Sequence, residues 1–318
     1  MNKNFNFFLI IGIGFGIISC GGSDSLTSTS AETTESLSGN GVFIVAGLSG
    51  NILKSTDKAS SFDNATSSTS KNLYEVEFGN STFVVTGDNG TIVRSTDNGS
   101  SFDTINTPTL NTLFGVGFGN NIFTAVGISG SIIKSTDDGI TWDNATSPTA
   151  NYLRSIVFGN NSFVAVGDSG NIVRSEDGSS FDNVTSPVTQ DLYGVGYGNS
   201  TFVAVGDNGT ILRSTAENGS SWDNATSPTT SNLYGVVFGN NAFVAVGDNG
   251  TIVRSTDNGS TWDNVTSPTS NFLIGIGFGY DTFVAVGTYG NILRSTDNGS
   301  SWDNATSPTV NQLRGVGF

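Results

Sequence analysis

Short runs of β-branched and aromatic residues alternate with glycine-rich polar turns along most of the chain. Residues 232–271 contain four such runs, and each is followed by a polar turn. The runs are L-Y-G-V-V-F, A-F-V-A-V-G, T-I-V-R-S-T and W-D-N-V-T, and the turns that follow them are, in order, G-N-N, D-N-G, D-N-G-S-T and S-P-T-S-N. D-N-G turns between β-branched runs favour hairpins, because Asn and Gly tolerate positive φ. The pattern predicts four short antiparallel strands in this segment.

The second of these strands is apolar on both faces. Phe243 and Ala245 alternate with Val244 and Val246, so both faces of the strand need a packing partner. A small sheet between two neighbouring sheets meets this need, and four antiparallel strands in about 40–45 residues is the size of a propeller blade. A β-solenoid is the structural alternative, but its coils are shorter and do not require consecutive hairpins.

The strand pattern occurs seven times. The 280 residues from Gly39 to Phe318 are seven times forty, and the aromatic residue that closes each repeat recurs at intervals of 40, 40, 39, 41, 40 and 40 residues. The repeats begin at G-V-F-I-V-A-G (41–47), which matches a second strand, and end at N-Q-L-R-G-V-G-F (311–318), which matches a first strand. We therefore predict an all-β, seven-bladed propeller over residues 39–318, in which the C-terminal strand closes the ring beside residues 42–46.

The first 38 residues lie before the repeats and have a different character. Residues 1–20 combine one lysine, an apolar run over residues 7–18, and I-I-S-C followed by G-G. The run is too short for a comfortable membrane span and has the form of a secretory signal peptide. Its end resembles the cleavage box of bacterial lipoproteins, which implies a signal peptide over residues 1–19 and lipidation of Cys20. An ordinary secretory peptide with an incidental cysteine is the alternative.

Residues 20–38 contain Cys20, the expected lipidation site, and a Ser/Thr-rich stretch with almost nothing to bury. This composition predicts a flexible tether between lipid and propeller. Gly21 follows Cys20, whereas an Asp at this position resembles the inner-membrane retention signal. We therefore expect a lipid-anchored protein of the bacterial cell envelope, at the outer membrane or the cell surface.

Composition excludes several functional classes. The sequence has no histidine, which excludes Ser-His-Asp and Cys-His catalysis and His-ligated zinc, and its one cysteine excludes a disulfide scaffold. The formal net charge of −15 makes nucleic acid an unfavourable partner, because phosphate recognition needs a basic face. We expect no cofactor and no metal, although repeat carboxylates that bind Ca²⁺ are an alternative.

A recurrent turn motif separates the third and fourth strands. S-T-D-N-G-S-T-W at 255–262 and S-T-D-N-G-S-S-W at 295–302 resemble the Asp box, S-x-D-x-G-x-x-W, of BNR-type repeat propellers, and related versions occur in the other repeats. An Asp in such a turn can accept backbone N–H bonds, while the aromatic residue anchors the hairpin. The aspartates expected to have this structural role are Asp57, Asp97, Asp137, Asp177, Asp257 and Asp297.

Two propeller families share this motif. Forty-residue blades with many boxes look like the photosystem II assembly and stability factor type, which implies a non-catalytic scaffold. Sialidases also carry Asp boxes, but they grip a carboxylate with three arginines, and here only Arg154 and Arg314 lie outside the repeated arginine position. These features favour a non-enzymatic interaction scaffold of the cell envelope. A glycan-binding or glycoside-hydrolase propeller, similar to a sialidase, is the alternative.

Departures from the repeat mark the candidate site. Glu75 and Glu77 form a non-repeat acidic pair on one strand face, expected to be solvated or to line the lumen. Near the start of each first strand, one position carries mostly aromatic residues and arginine, which are enriched at binding hot spots. Packing of these side chains between blades is the alternative. The candidate ligand-binding residues are Tyr74, Phe114, Arg154, Tyr193, Tyr234 and Arg314, with Tyr289 in a turn on the same predicted face. The sequence does not distinguish a protein partner from a glycan.

Overall fold

The computed structural model describes residues 41–318 as seven antiparallel sheets, each built on four strands. The first strands of the sheets contact one another in a closed circuit, which confirms the predicted seven-bladed β-propeller. We number the blades 1 to 7 from the blade that contains the N-terminal strand. The predicted signal peptide over residues 1–19, Cys20 and the tether up to residue 38 lie outside the described residues.

The strands recur with nearly constant bounds. The first strands, in blades 2 to 7 and then blade 1, are Leu73–Gly79, Leu113–Gly119, Leu153–Gly159, Leu192–Gly198, Leu233–Gly239, Leu273–Gly279 and Leu313–Gly317. The second strands are Phe43–Gly47, Thr82–Gly87, Ile122–Gly127, Ser162–Gly167, Thr201–Gly206, Ala242–Gly247 and Thr282–Gly287. The third strands are Ile52–Ser55, Ile92–Ser95, Ile132–Ser135, Ile172–Ser175, Ile211–Ser214, Ile252–Ser255 and Ile292–Ser295. The fourth strands are Asp63–Asn64, Ser101–Ile105, Asp143–Asn144, Asp182–Val184, Trp222–Asn224, Asp263–Val265 and Asp303–Asn304.

Short 3₁₀ turns connect the second and third strands. They span Leu48–Gly50, Asp88–Gly90, Ile128–Gly130, Asp168–Gly170, Asp207–Gly209, Asp248–Gly250 and Thr288–Gly290. In the D-N-G turn of blade 2, Asn89 has φ 55° and Gly90 has φ 68°, which is the left-handed backbone that these residue types tolerate. One further strand, Thr66–Ser67, follows blade 1 and pairs in parallel with Ser101–Ile105 of blade 2.

Blade 1 is assembled from both ends of the propeller sequence. Its first strand, Leu313–Gly317, pairs antiparallel with its second strand, Phe43–Gly47. Within this pair Ile44 lies opposite Gly317. The C-terminal strand therefore closes the ring beside residues 42–46, as the phasing of the repeats predicts.

The core consists of seven apolar clusters, one between each pair of neighbouring blades. In blade 6, Phe243 and Ala245 pack toward blade 5, whereas Val244 and Val246 pack toward blade 7. All four side chains are fully buried. The second strand is therefore apolar on both faces because it lies between two neighbouring sheets.

In six of the seven blades, the turn between the third and fourth strands is held by an aspartate. The Asp97 carboxylate accepts hydrogen bonds from the backbone N–H groups of Ser100 and Ser101 and from the hydroxyls of Ser95 and Ser101. Although partial desolvation opposes the shift, these hydrogen bonds lower the pKa of Asp97 to about 2. Gly99 follows at φ 74°, and an added Cβ there would come within 2.3 Å of an isoleucine of blade 1. Equivalent backbone hydrogen bonds reach Asp57, Asp137, Asp177, Asp257 and Asp297.

The basic residue of each third strand joins its blade to the next one. Arg94 Nε donates a hydrogen bond to the Asp138 carbonyl of blade 3 at 2.6 Å, and Arg294 Nε donates to the Lys58 carbonyl of blade 1 at 2.7 Å. Equivalent inter-blade bonds to a backbone carbonyl are made by Arg174, Arg213 and Arg254, whereas Lys54 and Lys134 donate to a serine hydroxyl of the next blade. These seven side chains are distributed over the seven blade junctions, so the repeated arginines do not converge into the three-arginine site of a sialidase.

Candidate functional site

The first strands surround a central channel with a volume of about 380 Å³. This volume lies within the range of small-molecule sites, about 300–1,000 Å³. Glycines keep the channel wall tight, since an added Cβ at Gly275 would lie 1.9 Å from the Arg314 carbonyl of the next first strand. The channel is therefore walled by first strands in close contact, and the larger side chains near their starts shape one of its ends.

The structure brings six of the predicted ligand-binding residues together around the channel. These residues are Tyr74, Phe114, Arg154, Tyr193, Tyr234 and Arg314, with Ile274 at the equivalent position of blade 7. We call this ring of seven residues the channel mouth. The backbone N–H of Asp88 donates to the carbonyl of Asn72, so the mouth lies on the face that carries the second-to-third-strand turns. Tyr289 lies in such a turn, is 76% exposed and does not line the channel.

The mouth tyrosines are tied to the first residue of the adjacent 3₁₀ turn. Tyr74 Oη donates to an Asp88 carboxylate oxygen at 2.7 Å, and Tyr234 makes the same bond to Asp248 at 2.7 Å. Desolvation, together with the hydrogen bond to Asp88, raises the pKa of Tyr74 to about 12. These phenols are therefore protonated at neutral pH and fixed in orientation, with their rings toward the channel.

Arg154 is held in the same way. Its Nε and one terminal nitrogen donate to the two carboxylate oxygens of Asp168 at 2.7 and 3.1 Å. The guanidinium carbon lies 5.1 Å from the ring centroid of Phe114 and 5.9 Å from that of Tyr193. Because the Arg154 guanidinium forms a bidentate ion pair with Asp168 of its own blade, the hydrogen-bond donors that face this carboxylate are already satisfied.

Sequence reasoning identified the mouth position but missed its partner in the turn. The signal was present in the repeats, because Tyr74 and Arg154 are each followed fourteen residues later by Asp, whereas Phe114 is followed by Ile128. Two positions that change together within a set of repeats report a contact. The three tyrosines and Arg154 of the mouth thus have an acidic turn partner, whereas Phe114, Ile274 and Arg314 do not.

Aromatic pairs cover a large part of the mouth. The rings of Tyr74 and Phe114 meet edge to face at 5.2 Å, and those of Tyr193 and Tyr234 are 5.3 Å apart. The Arg314 guanidinium lies 5.1 Å from the Tyr74 ring centroid. Aromatic rings that are hydrogen-bonded at one end offer rigid apolar surface at low entropic cost.

Glu75 and Glu77 both line the channel. Desolvation raises the pKa of Glu75 to about 8. Desolvation, with a further contribution from the charge of Glu75, also raises the pKa of Glu77 to about 8. Both carboxyls are therefore mainly neutral at pH 7 and can donate hydrogen bonds into the channel. In the other blades the equivalent residues are glycine, serine or valine, so the pair makes one wall of the lumen different from the rest.

Exposed apolar side chains concentrate on the face of the mouth. Residues 41–318 contain seven exposed large hydrophobic side chains. Two of them, Ile140 and Tyr280, lie in turns on the face opposite the channel mouth. The other five lie in the inter-blade loops or 3₁₀ turns of the mouth face: Leu110, Tyr152, Phe272, Tyr289 and Val310. Single exposed hydrophobics are ordinary, but the mouth face carries more of them than the opposite face.

Two further properties concern the described part of the chain. Within residues 41–318, no cluster of three or more His, Cys, Asp or Glu side chains has the geometry of a metal site. In that same range, no helix has the length and apolar character needed to cross a bilayer.

Comparison with known proteins supports a propeller family. The DUF6242 beta propeller domain matches residues 123–232 and 195–313, whereas no curated protein matches the sequence. Among solved structures, YCF48 bound to D1 peptide has 19% identity and a TM-score of 0.60 over 74% of this chain and 80% of that one. YCF48 from Cyanidioschyzon merolae has 16% identity and a TM-score of 0.58 over 73% and 84% of the two chains. The computationally designed Ika8 protein has 12% identity and a TM-score of 0.64 over 86% of each chain. At these identities the similarity shows the fold alone.

Proposed function

This chain belongs to the DUF6242 beta propeller family, and we propose that it is a non-enzymatic scaffold that binds a partner on the face of the channel mouth. Because one fold serves many functions, the proposal depends on the site rather than on the family. The observation that carries it is the concentration of exposed apolar side chains, five of the seven in residues 41–318, around a mouth lined by aromatic residues and arginine.

The opposite face has a structural role in this proposal. The polar groups of its turns are hydrogen-bonded within the turn itself, as when Asp97 accepts hydrogen bonds from the serines of its own turn. We interpret these turns as the Asp boxes of a BNR-type propeller with a structural role. The similarity to YCF48, solved with a bound D1 peptide, supports a peptide or protein as the partner.

The N-terminal segment gives the proposed scaffold its location. We propose that Cys20 is lipidated after removal of residues 1–19 and that residues 20–38 tether the propeller to a bacterial membrane, at the outer membrane or cell surface. Several acyl chains, at about 0.8 kcal/mol for each buried CH₂, are enough for stable anchoring. I-I-S-C at the end of the apolar run, followed by G-G, is the feature that supports this location.

Crosslinking and co-purification from the native membrane test the scaffold function. A variant with Tyr289→Ser and Val310→Ser removes two mouth-face side chains that are 76% and 81% exposed. The matched control is Ile140→Ser, which removes an apolar side chain, 56% exposed, from an Asp-box turn on the opposite face. We expect the mouth-face variant to lose at least tenfold in partner capture with an unchanged melting temperature. Equal capture by both variants would show that the partner binds elsewhere.

A glycan is the second candidate partner, and the aromatic pairs of the mouth favour it. The rings of Tyr193 and Tyr234, 5.3 Å apart, line the channel and can stack on the apolar face of a sugar. Glycan binding that needs no protein partner would support this second candidate. Turnover of a glycoside would contradict the non-enzymatic scaffold.

A further inference from the structure

Two arginines occupy the same mouth position but have different surroundings. Arg154 of blade 4 pairs with Asp168, the first residue of the adjacent 3₁₀ turn. In blade 1 this turn position is Leu48, whose backbone N–H donates to the Gln312 carbonyl at 2.9 Å, just as the corresponding N–H of blade 4 does in its own blade. Arg314 therefore has a leucine at the position where Arg154 has a carboxylate.

The Arg314 guanidinium has no hydrogen-bond or ion-pair partner among residues 41–318, and its Nε is buried. Burial lowers the pKa of this side chain. Asp88, an acid whose charge acts on Arg314, already accepts hydrogen bonds from Tyr74 at 2.7 Å and from Asn72 at 2.9 Å. A partly desolvated cation with no direct carboxylate partner is unfavourable, and an anionic ligand in the channel would relieve that penalty.

The chemistry of the mouth defines the anion. The planar guanidinium matches a carboxylate, and the Arg154–Asp168 pair shows this recognition at the equivalent position of the same ring. Arg314 supplies one positive charge in a protein of net charge −15. It therefore suits a ligand with a single negative charge better than a phosphate dianion. The edge-to-face rings of Tyr74 and Phe114 offer apolar surface beside the Arg314 guanidinium.

We propose that Arg314 binds the carboxylate of a ligand whose flat, apolar body lies in the channel mouth against Tyr74. The carboxylate takes the role that Asp168 has beside Arg154, and the channel volume of about 380 Å³ accommodates the body. This inference rests on the proposed function and deepens it, because it names the group by which the mouth recognises its partner. The carboxylate belongs either to a small free ligand or to a peptide segment.

Phenylacetate and its neutral isostere phenylacetamide test the carboxylate requirement by calorimetric titration of the full-length protein. We expect the wild-type protein to bind phenylacetate at least tenfold more tightly than phenylacetamide. Arg314→Gln should abolish that preference. Leu48→Asp should abolish it too, because the new carboxylate would pair with Arg314 internally. The matched control, Ile128→Asp, adds the same charge at the same turn position of blade 3, where Phe114 offers no cation, and should retain binding within about threefold.

Melting temperatures show whether each variant is folded, and the glutamine variant keeps the test valid if Leu48→Asp does not fold. A second pair of probes, N-acetyl-Ala-Phe with a free and with an amidated C-terminus, identifies the source of the carboxylate. Preference for the free acid of the peptide indicates a peptide ligand, and preference for phenylacetate alone indicates a small one.

Three results would overturn the inference: equal affinity of the wild-type protein for acid and amide, no binding of either acid, or undiminished binding by Arg314→Gln. The partner-capture assay separates this failure from failure of the scaffold. If capture survives Leu48→Asp but is lost on Tyr289→Ser with Val310→Ser, the scaffold function stands and Arg314 is not its anchor. If capture survives every one of these changes, the mouth face is not the binding surface.

Discussion

Replacing Glu75 and Glu77 by glutamine should stabilise the propeller at neutral pH. Burial in the channel raises the pKa of each carboxyl from 4.5 to about 8, so between these values the folded protein holds protons that the unfolded chain has released. Stability from a group with a raised acid pKa is complete below the unfolded pKa and is lost as the pH rises toward the folded one. Glutamine removes this loss, and its amide oxygen can still accept the backbone N–H bonds of Val76 and Phe78.

The size of the effect follows from the pKa change. Each pH unit between the two pKa values costs about 1.4 kcal/mol for each carboxyl, which gives about 3 kcal/mol at pH 7 for a fully desolvated group. Glu75 and Glu77 are both partly exposed to the channel, and water there screens their charge. We therefore expect the double variant to gain about 1–2 kcal/mol for each residue replaced.

Denaturant unfolding at pH 5, 6, 7 and 8 measures this gain. The sequence has no histidine, so it contains no side chain whose ordinary pKa lies between 5 and 8. The wild-type free energy of unfolding should fall across this range, and that of the double variant should stay nearly constant. Glu176→Gln is the control, since that side chain is 66% exposed and its removal should leave the slope unchanged. Parallel pH profiles for the wild type and the double variant would refute the assigned burial of the pair.

Three further predictions concern closure and anchoring. Deletion of residues 311–318 removes the pairing partner of Phe43–Gly47 and should cause aggregation or loss of cooperative unfolding. If the truncated protein melts like the full-length protein, ring closure by this strand is contradicted. Arg294→Ala removes the 2.7 Å bond to the Lys58 carbonyl across the junction of blades 7 and 1 and should cost about 1 kcal/mol in denaturant unfolding; an unchanged midpoint would show that the bond contributes nothing. Cys20→Ser should release the protein from the membrane fraction, and unchanged partitioning would refute lipid anchoring.

The fold could be predicted from the sequence because each blade repeats one pattern under one packing constraint. A second strand such as Ala242–Gly247 must be apolar on both faces, since it lies between two other sheets. The split of blade 1 between the chain ends was also visible, because the first and last segments match complementary strands. Strand ends were less predictable: T-I-V-R-S-T forms a strand only over Ile252–Ser255, because the hydrogen bonds of the following turn begin at Ser255.

The candidate site was predictable in position but not in chemistry. Variation at one repeat position identified the mouth, yet strand alternation alone could not tell lumen from blade interface. The structure resolves this for Glu75 and Glu77, which line the lumen while Val76 between them is buried in the junction of blades 1 and 2. The raised pKa of the pair depends on closure of the whole ring, which no local pattern encodes.

The one unpaired arginine of the mouth comes from the strand that closes the ring. Arg314 lies in Leu313–Gly317, and the leucine that replaces its expected acidic partner lies just after Phe43–Gly47, at the other end of the propeller sequence. The site is therefore complete only when the C-terminal strand is docked. A carboxylate that binds Arg314 binds the closed propeller and not the open chain, so it must stabilise closure by the free energy of binding. Ligand recognition and ring closure are thermodynamically linked in blade 1, and the melting temperature should rise with the concentration of the ligand.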